Sequence, residues 1–237
     1  MKIKIAHLYY DLLNLYGEQG NVLALKKAFT SAGTTVQIDL LTINEKWDFT
    51  KYDIFYIGTG SEENLLLVLE DIKKHQKGLK EAIKKGKYFI ATGNAHELFG
   101  KFIEMNNQKY LCLDFFDYYA KQNLPKRIAG ESFMEFSELE GPIIGFQNRT
   151  CVLQINNDNH LFGVINGHAD NFKASHEGYR ENNFIGTYLL GPLLIRNPHL
   201  TDYIVKNIIT SKNKEYEEKT DTNEYKAYHE YIKNFYD

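Results

Sequence analysis

The first half of the chain alternates short apolar runs with segments of helical spacing. The alternation in "KIKIAHLYY" predicts a strand, and "NVLALKKAFTSAG" predicts a helix that ends at Gly33. Further strands are predicted at "TVQIDLLTI", "YDIFYIGTG" and "YFIAT", with a helix or helix pair over residues 61–86 that Ser61 opens. Because strands and helices alternate, we expect a mostly parallel α/β sheet with right-handed crossovers.

The second half of the chain consists mainly of short β-rich segments. The runs "KYLCLDFFDYY", "ESFMEFSELEG", "PIIGFQNRTCVLQI" and "HLFGVING" predict antiparallel strands that extend the central sheet. The segment "FIGTYLLGPLLIRNPHLTDYIVKNII" returns to a strand, a Gly-Pro turn and a helix. We therefore divide the chain into one domain over residues 1–210 and a charged, tyrosine-rich helical tail over residues 211–237.

Composition narrows the class of protein. With 43% hydrophobic residues, the 237-residue chain can bury a sizeable core, and its net charge of -3 gives no general attraction for nucleic acid or an anionic membrane. No signal-peptide pattern is evident and no window approaches the ~20 apolar residues of a membrane span, so we expect a cytoplasmic protein without membrane insertion. The two cysteines lie in apolar runs and no metal-ligand spacing such as HExxH occurs, so we expect no disulfide, metal or cofactor.

Two glycine-containing turns follow predicted strands. In "GTGSEEN", Gly58 and Gly60 allow a tight bend and expose N–H groups that can hold an oxyanion. The stretch "FIATGNAHELFG" has the layout of a nucleophile elbow, with Gly93 at its tip and the N–H of Asn94 in the place of an oxyanion donor. No Cys or Ser stands at that tip. Each turn also fits an ordinary strand-to-helix connection.

Three segments together resemble a known family. "LNLYGEQGNVLAL", "IFYIGTGSEEN" and "IGTYLLGPLLIRNPHLTDYI" are similar to the glutamine amidotransferase subunit of lipid II isoglutaminyl synthase, in the cobyric-acid-synthase-like branch of class I glutamine amidotransferases. The resemblance implies a flavodoxin-like fold, with helices on both faces of the sheet. It also implies glutamine hydrolysis, with ammonia passed to a Mur-ligase-like partner that uses ATP to amidate the D-glutamate carboxylate of the lipid II stem peptide.

The resemblance implies that both reacting groups are missing. In the family an elbow Cys attacks the glutamine amide and a His in "GTYLHGP" takes its proton; these positions fall on Gly93 and Leu190. Acyl transfer needs a nucleophile and a base. We therefore expect a catalytically silent subunit that scaffolds or regulates a Mur-ligase-like synthetase. The resemblance places the remnant of the glutamine pocket at Gly58, Thr59, Gly60, Asn94, Glu97 and Arg127.

Two alternatives stay open at the level of sequence. In the first, the chain is an active amidohydrolase in which Thr92 is the nucleophile and His96 the base. In the second, the chain is an amino-acid sensor whose remnant glutamine pocket binds glutamine without cleaving it. The fork of Arg127 would then grip the ligand carboxylate, unless Glu97 pairs with Arg127 and closes the pocket.

Overall fold

The computed structural model of the protein describes residues 1–123 and 125–236. Its strands are β1 (Lys2–Leu8), β2 (Thr35–Leu41), β3 (Ile54–Ile57), β4 (Tyr88–Thr92), β5 (Phe102–Met105), β6 (Gln108–Leu111), β7 (Tyr118–Gln122), β8 (Ile128–Glu135), β9 (Ile143–Arg149), β10 (Cys151–Ile155), β11 (His160–Asn166), β12 (His176–Glu181) and β13 (Phe184–Thr187). Its α-helices are α1 (Gln19–Ser31), α2 (Glu62–Ile72), α3 (Gln76–Lys84), α4 (Leu193–Arg196), α5 (Pro198–Ser211) and α6 (Asn223–Phe235).

The predicted parallel sheet is confirmed. Over the described residues, the larger sheet has the strand order β2-β1-β3-β4-β13-β12-β11-β8-β9, and the first five of these strands run parallel to one another. All four residues of β3 are buried, as is usual for a parallel strand covered on both faces. The helix pair over residues 61–86 is also confirmed. The hydroxyl of Ser61 caps α2 by accepting a hydrogen bond from the N–H of Asn64 (3.1 Å).

The prediction that every later strand extends this sheet is only partly right. Strands β12, β11, β8 and β9 do extend it in antiparallel pairing, but β10, β7, β5 and β6 form a second, four-stranded sheet. The chain passes between the sheets several times, once at Thr150, the single residue between β9 and β10. Both sheets contain short strands of mixed burial, so the local sequence does not distinguish them.

The core has two layers, one on each face of the larger sheet. Helices α2 and α3 and the small sheet pack on one face, and α1, α4 and α5 pack on the other. Helix α6 lies on the second layer, where the hydroxyl of Tyr228 donates to the carbonyl of Pro142 (2.8 Å). Asp237, at the end of the predicted tail, lies outside the described residues. Within the described ranges, none of the helices combines the length and apolar character that a membrane crossing requires.

Candidate functional site

The elbow lies where two parallel strands end side by side. β4 ends at Thr92, and Gly93 follows with φ of +60°, a left-handed conformation that glycine adopts without steric cost. β3 ends beside it and leads into the loop Gly58–Gly60, because the two strands are parallel neighbours. This arrangement of strand, tight turn and adjacent loop is that of a nucleophile elbow. The segment after the turn, Gly93–Phe99, is a 3₁₀ helix.

Other side chains fill the space above the elbow tip. A Cβ atom built on Gly93 would overlap Cβ and Oγ1 of Thr59 and would lie 3.0 Å from Cδ2 of Leu190. Both side chains are buried, with 4% of Thr59 and 2% of Leu190 exposed. Reciprocal backbone hydrogen bonds with Phe146 (2.8 and 3.1 Å) hold Leu190 in place. A nucleophilic side chain at position 93 therefore has no room in this structure.

The backbone donors of the elbow are used within the chain. The N–H of Gly60 donates to Oδ1 of Asn94 (3.2 Å), and the N–H of Asn94 donates to Oγ1 of Thr59 (3.2 Å). The Thr59 hydroxyl itself donates to Oδ1 of Asn94 (2.8 Å), and Nδ2 of Asn94 donates to the carbonyl of Gly60 (2.9 Å). Both backbone N–H groups that would stabilise an oxyanion thus already donate to side-chain oxygens of the chain.

The structure does not bring Thr92 and His96 together. The hydroxyl of Thr92 is buried and donates a hydrogen bond to Oε2 of Glu18 (2.5 Å). His96 is fully buried, and its Nδ1 donates to the carbonyl of Gly93 (2.6 Å). Burial lowers the pKa of His96 to about 3, so it is a poor proton acceptor. The pairing of a Thr92 nucleophile with a His96 base is therefore wrong.

Glu97 and Arg127 also have separate partners. Glu97 is buried, and its Oε1 accepts a hydrogen bond from the hydroxyl of Tyr188 (2.9 Å); burial raises the pKa of Glu97 to about 7. Arg127 is half-exposed, with its Nη1 3.5 Å from Oε1 of Glu62 and its Nε donating to Oδ1 of Asn148. The suggested pairing of Glu97 with Arg127 is wrong, since Glu62 is the carboxylate that meets this arginine.

Glu18 was missed by the sequence reasoning. Its carboxyl group is buried and accepts hydrogen bonds from the hydroxyls of Thr92 and Tyr56 and from Nδ2 of Asn21. Oδ1 of Asn21 in turn accepts from the N–H of Leu194 (2.7 Å). This network joins the segment "YGEQGN", the elbow strand and the segment "GTYLLGPLL", so these motifs have a structural role that needs no catalysis.

Arg149 was missed as well. It is buried behind the elbow, and its guanidinium lies 4.1 Å from the ring centre of Tyr188 and donates to the carbonyls of Cys151 (2.6 Å) and Asp170 (3.0 Å). Burial raises the pKa of the neighbouring Asp170 and raises that of Glu177 to about 7. In the sequence Arg149 stands within the predicted β-rich run "PIIGFQNRTCVLQI", where an exposed arginine side chain is the usual expectation.

Comparison with known proteins identifies similar chains. The chain is 30% identical over 231 residues to the GatD subunit of lipid II isoglutaminyl synthase (glutamine-hydrolyzing) from Staphylococcus aureus strain N315, which covers 94% of this chain and 91% of that protein. The GatD subunit from Streptococcus pneumoniae strain ATCC BAA-255 / R6 is 25% identical over 213 residues, or 89% of this chain and 82% of that one.

A structural match and a family match also identify the chain as similar to glutamine amidotransferases. A crystal structure of a glutamine amidotransferase superimposes with a TM-score of 0.57 at 16% identity, covering 86% of this chain and 98% of that one, which shows a shared class I glutamine amidotransferase fold. Residues 4–198 match the CobB/CobQ-like glutamine amidotransferase domain. The chain therefore belongs to the CobB/CobQ-like glutamine amidotransferase family.

Proposed function

We propose that this chain is a glutamine amidotransferase-like subunit that does not hydrolyse glutamine. The observation that carries the proposal is the filled elbow, where Thr59 and Leu190 occupy the space in which a side chain at Gly93 would stand. Position 93 supplies no nucleophilic atom, and the apolar side chain of Leu190 cannot accept a proton. In known hydrolases the loss of such groups costs about 10⁶ in kcat, and no turnover of use to a cell remains.

The proposed role is to scaffold or regulate a Mur-ligase-like, ATP-dependent amide synthetase that acts on the lipid II precursor of peptidoglycan. The support for a partner is that both GatD relatives are named as subunits of lipid II isoglutaminyl synthase. A subunit that keeps its fold without its reacting groups can still bind its partner, because fold and chemistry reside in different residues. The pair would form a heterodimer in the cytoplasm.

We retain the division into a domain over residues 1–210 and a tail over residues 211–237 as part of this proposal. The tail is attached to the domain through Asp202, whose carboxylate accepts hydrogen bonds from the hydroxyls of Tyr216 (2.5 Å) and Tyr225 (2.8 Å). These two contacts hold the tail against α5 of the domain.

The sensor alternative has less support from the geometry. Arg127 faces Glu62 in place of a ligand carboxylate, and the N–H groups of Gly60 and Asn94 already have acceptors. A free amino acid would have to displace these internal contacts before it could bind.

An assay of ammonia release from L-glutamine tests the catalytic part of the proposal. The pure chain should release no ammonia above the blank, while the S. aureus GatD relative serves as the active control. Clear turnover by the pure chain would refute the proposal.

Co-purification from the native host tests the partner. A Mur-ligase-like ATPase should be recovered with the tagged chain and identified by mass spectrometry. Its absence, under conditions that recover the corresponding partner of an active relative, would contradict the scaffold role.

A further inference from the structure

The side-chain carboxamide of Asn94 forms hydrogen bonds with the backbone of Gly60. Its Oδ1 accepts from the N–H of Gly60 (3.2 Å) and from the hydroxyl of Thr59 (2.8 Å), and its Nδ2 donates to the carbonyl of Gly60 (2.9 Å). A primary carboxamide has one acceptor oxygen and one NH₂ donor. Both are bonded to the Thr59–Gly60 segment, so the segment matches the hydrogen-bonding pattern of a carboxamide.

The loop is held in this conformation by close packing. A Cβ atom on Gly60 would meet Cδ2 of Leu13 at 2.5 Å and the carbonyl oxygen of Leu12 at 2.8 Å. On its other side, the N–H of Leu15 donates to the carbonyl of Thr59 (3.0 Å). The donor and acceptor of Gly60 are therefore fixed in direction before any carboxamide is added, which favours binding because little ordering is required.

We propose that Asn94 is an internal ligand, whose carboxamide occupies and closes a latent binding site for a primary carboxamide such as the side chain of glutamine. This inference rests on the proposed function, in which the elbow carries no reacting group, and it adds the reason why the site is closed. Asn94 is attached to the site, so it loses little translational freedom on filling it, whereas free glutamine loses that freedom on binding. Millimolar glutamine therefore does not displace Asn94.

The substitution Asn94→Ala tests the closure directly in the full-length chain. It removes the carboxamide and leaves both backbone N–H groups in place. The matched control is Asn171→Ala, which removes a carboxamide with two hydrogen bonds in a distant loop, to the carbonyl of Leu153 and from the N–H of Lys173 (3.0 Å each). Thermal unfolding is measured with and without L-glutamine and acetamide, and with acetate as the probe that lacks an NH₂ donor.

The expected result is a ligand-dependent shift in one variant only. At about ten times the dissociation constant, L-glutamine should raise the melting temperature of Asn94→Ala by about 3–5 °C. Acetamide should act in the same direction, while acetate, the wild type and Asn171→Ala should show no shift. An unshifted Asn94→Ala, or an equal shift in the wild type, would overturn the inference. Ammonia release is measured in the same samples, so wild-type turnover would refute the proposed function separately.

A measurement on the wild type keeps the inference testable if Asn94→Ala fails to fold. The side-chain NH₂ of Asn94 should give a resolved resonance with slowed hydrogen exchange. The amide resonance of Gly60 should not move when L-glutamine is added. Rapid exchange of the Asn94 NH₂, or a shift of the Gly60 amide with glutamine, would contradict the internal ligand.

Discussion

Thr59 stands where the side chain of residue 93 would be, so that its Cβ and Oγ1 overlap a Cβ atom built on Gly93. The same hydroxyl accepts from the N–H of Asn94, one of the two backbone donors of the elbow. One side chain therefore fills the nucleophile position and occupies an oxyanion donor. The packing of Thr59 therefore links the missing side chain at position 93 to the closure of the site.

Restoring a cysteine at the elbow should destabilise the fold. Gly93→Cys adds atoms that overlap Thr59 in a left-handed backbone conformation, so we expect a loss of about 2–4 kcal/mol in the free energy of unfolding. The double variant Gly93→Cys with Thr59→Gly should cost about 1–2 kcal/mol less than the sum of the single variants, because the overlap is relieved. Urea unfolding of all four proteins measures this coupling. Additive costs would show that Thr59 does not fill the site.

The buried carboxyl of Glu97 should make stability depend on pH. Burial raises its folded-state pKa from the ordinary 4.5 to about 7. A raised carboxyl pKa means that the folded chain keeps a proton that the unfolded chain releases. This contribution is therefore present at low pH and is lost as the pH rises from about 4.5 to about 7.

Glu97→Gln should remove that pH dependence. Between pH 5 and pH 8 the wild type should lose about 2–3 kcal/mol more unfolding free energy than the variant does. Urea unfolding at the two pH values measures the difference, and Glu63→Gln, on the exposed side of α2, is the control. Parallel pH profiles for the wild type and Glu97→Gln would contradict the assignment.

Glu18 should contribute strongly to stability. Glu18→Ala removes the acceptor shared by the hydroxyls of Thr92 and Tyr56, which leaves buried polar groups unsatisfied and should cost about 2–4 kcal/mol. Glu18→Gln keeps an acceptor oxygen and should cost less. Chemical denaturation of both variants tests the order, with Glu63→Ala as an exposed control. Equal, small effects in the three variants would count against the network.

Removal of the Asp202 carboxylate should loosen the attachment of the tail at Tyr216 and Tyr225. Asp202→Ala leaves the hydroxyl of Tyr216 without its acceptor and removes one of the two acceptors of Tyr225, the other being Glu218, at a cost of about 1–2 kcal/mol. We expect faster tryptic cleavage at the tail lysines Lys212, Lys214 and Lys219, which mass spectrometry would follow. Asp221→Ala is the matched control, because Asp221 pairs with Lys226 at the exposed surface. Cleavage at the wild-type rate in Asp202→Ala would show that the carboxylate does not anchor the tail.

The local sequence predicted the elements that position the site. The apolar runs of β3 and β4 and the glycine at position 93 are local signals, and they gave the strand ends and the turn correctly. The separate sheet could not be predicted in this way. Its short strands of mixed burial resemble the antiparallel strands of the larger sheet, and the change of sheets at Thr150 depends on pairing between distant segments.

The contacts that close the site could not be predicted from the sequence for a similar reason. Thr59 is separated from residues 93 and 94 by more than thirty positions in the sequence, and only the fold brings them into contact. The sequence around Glu97 predicts a polar residue on an ordinary helical segment. In the structure Glu97 is buried and accepts a hydrogen bond from Tyr188. Periodicity reports which face of an element is apolar, and it does not report which charged residue is covered by a distant loop.

Covalent labelling with 6-diazo-5-oxo-L-norleucine, a glutamine analogue that reacts with activated nucleophiles, shows whether the elbow carries a reactive group. Intact-protein mass spectrometry is carried out after incubation, with an active relative as the positive control. We expect the mass of this chain to stay unchanged while the relative is modified. A stoichiometric adduct that peptide mapping places within residues 89–100 would contradict it.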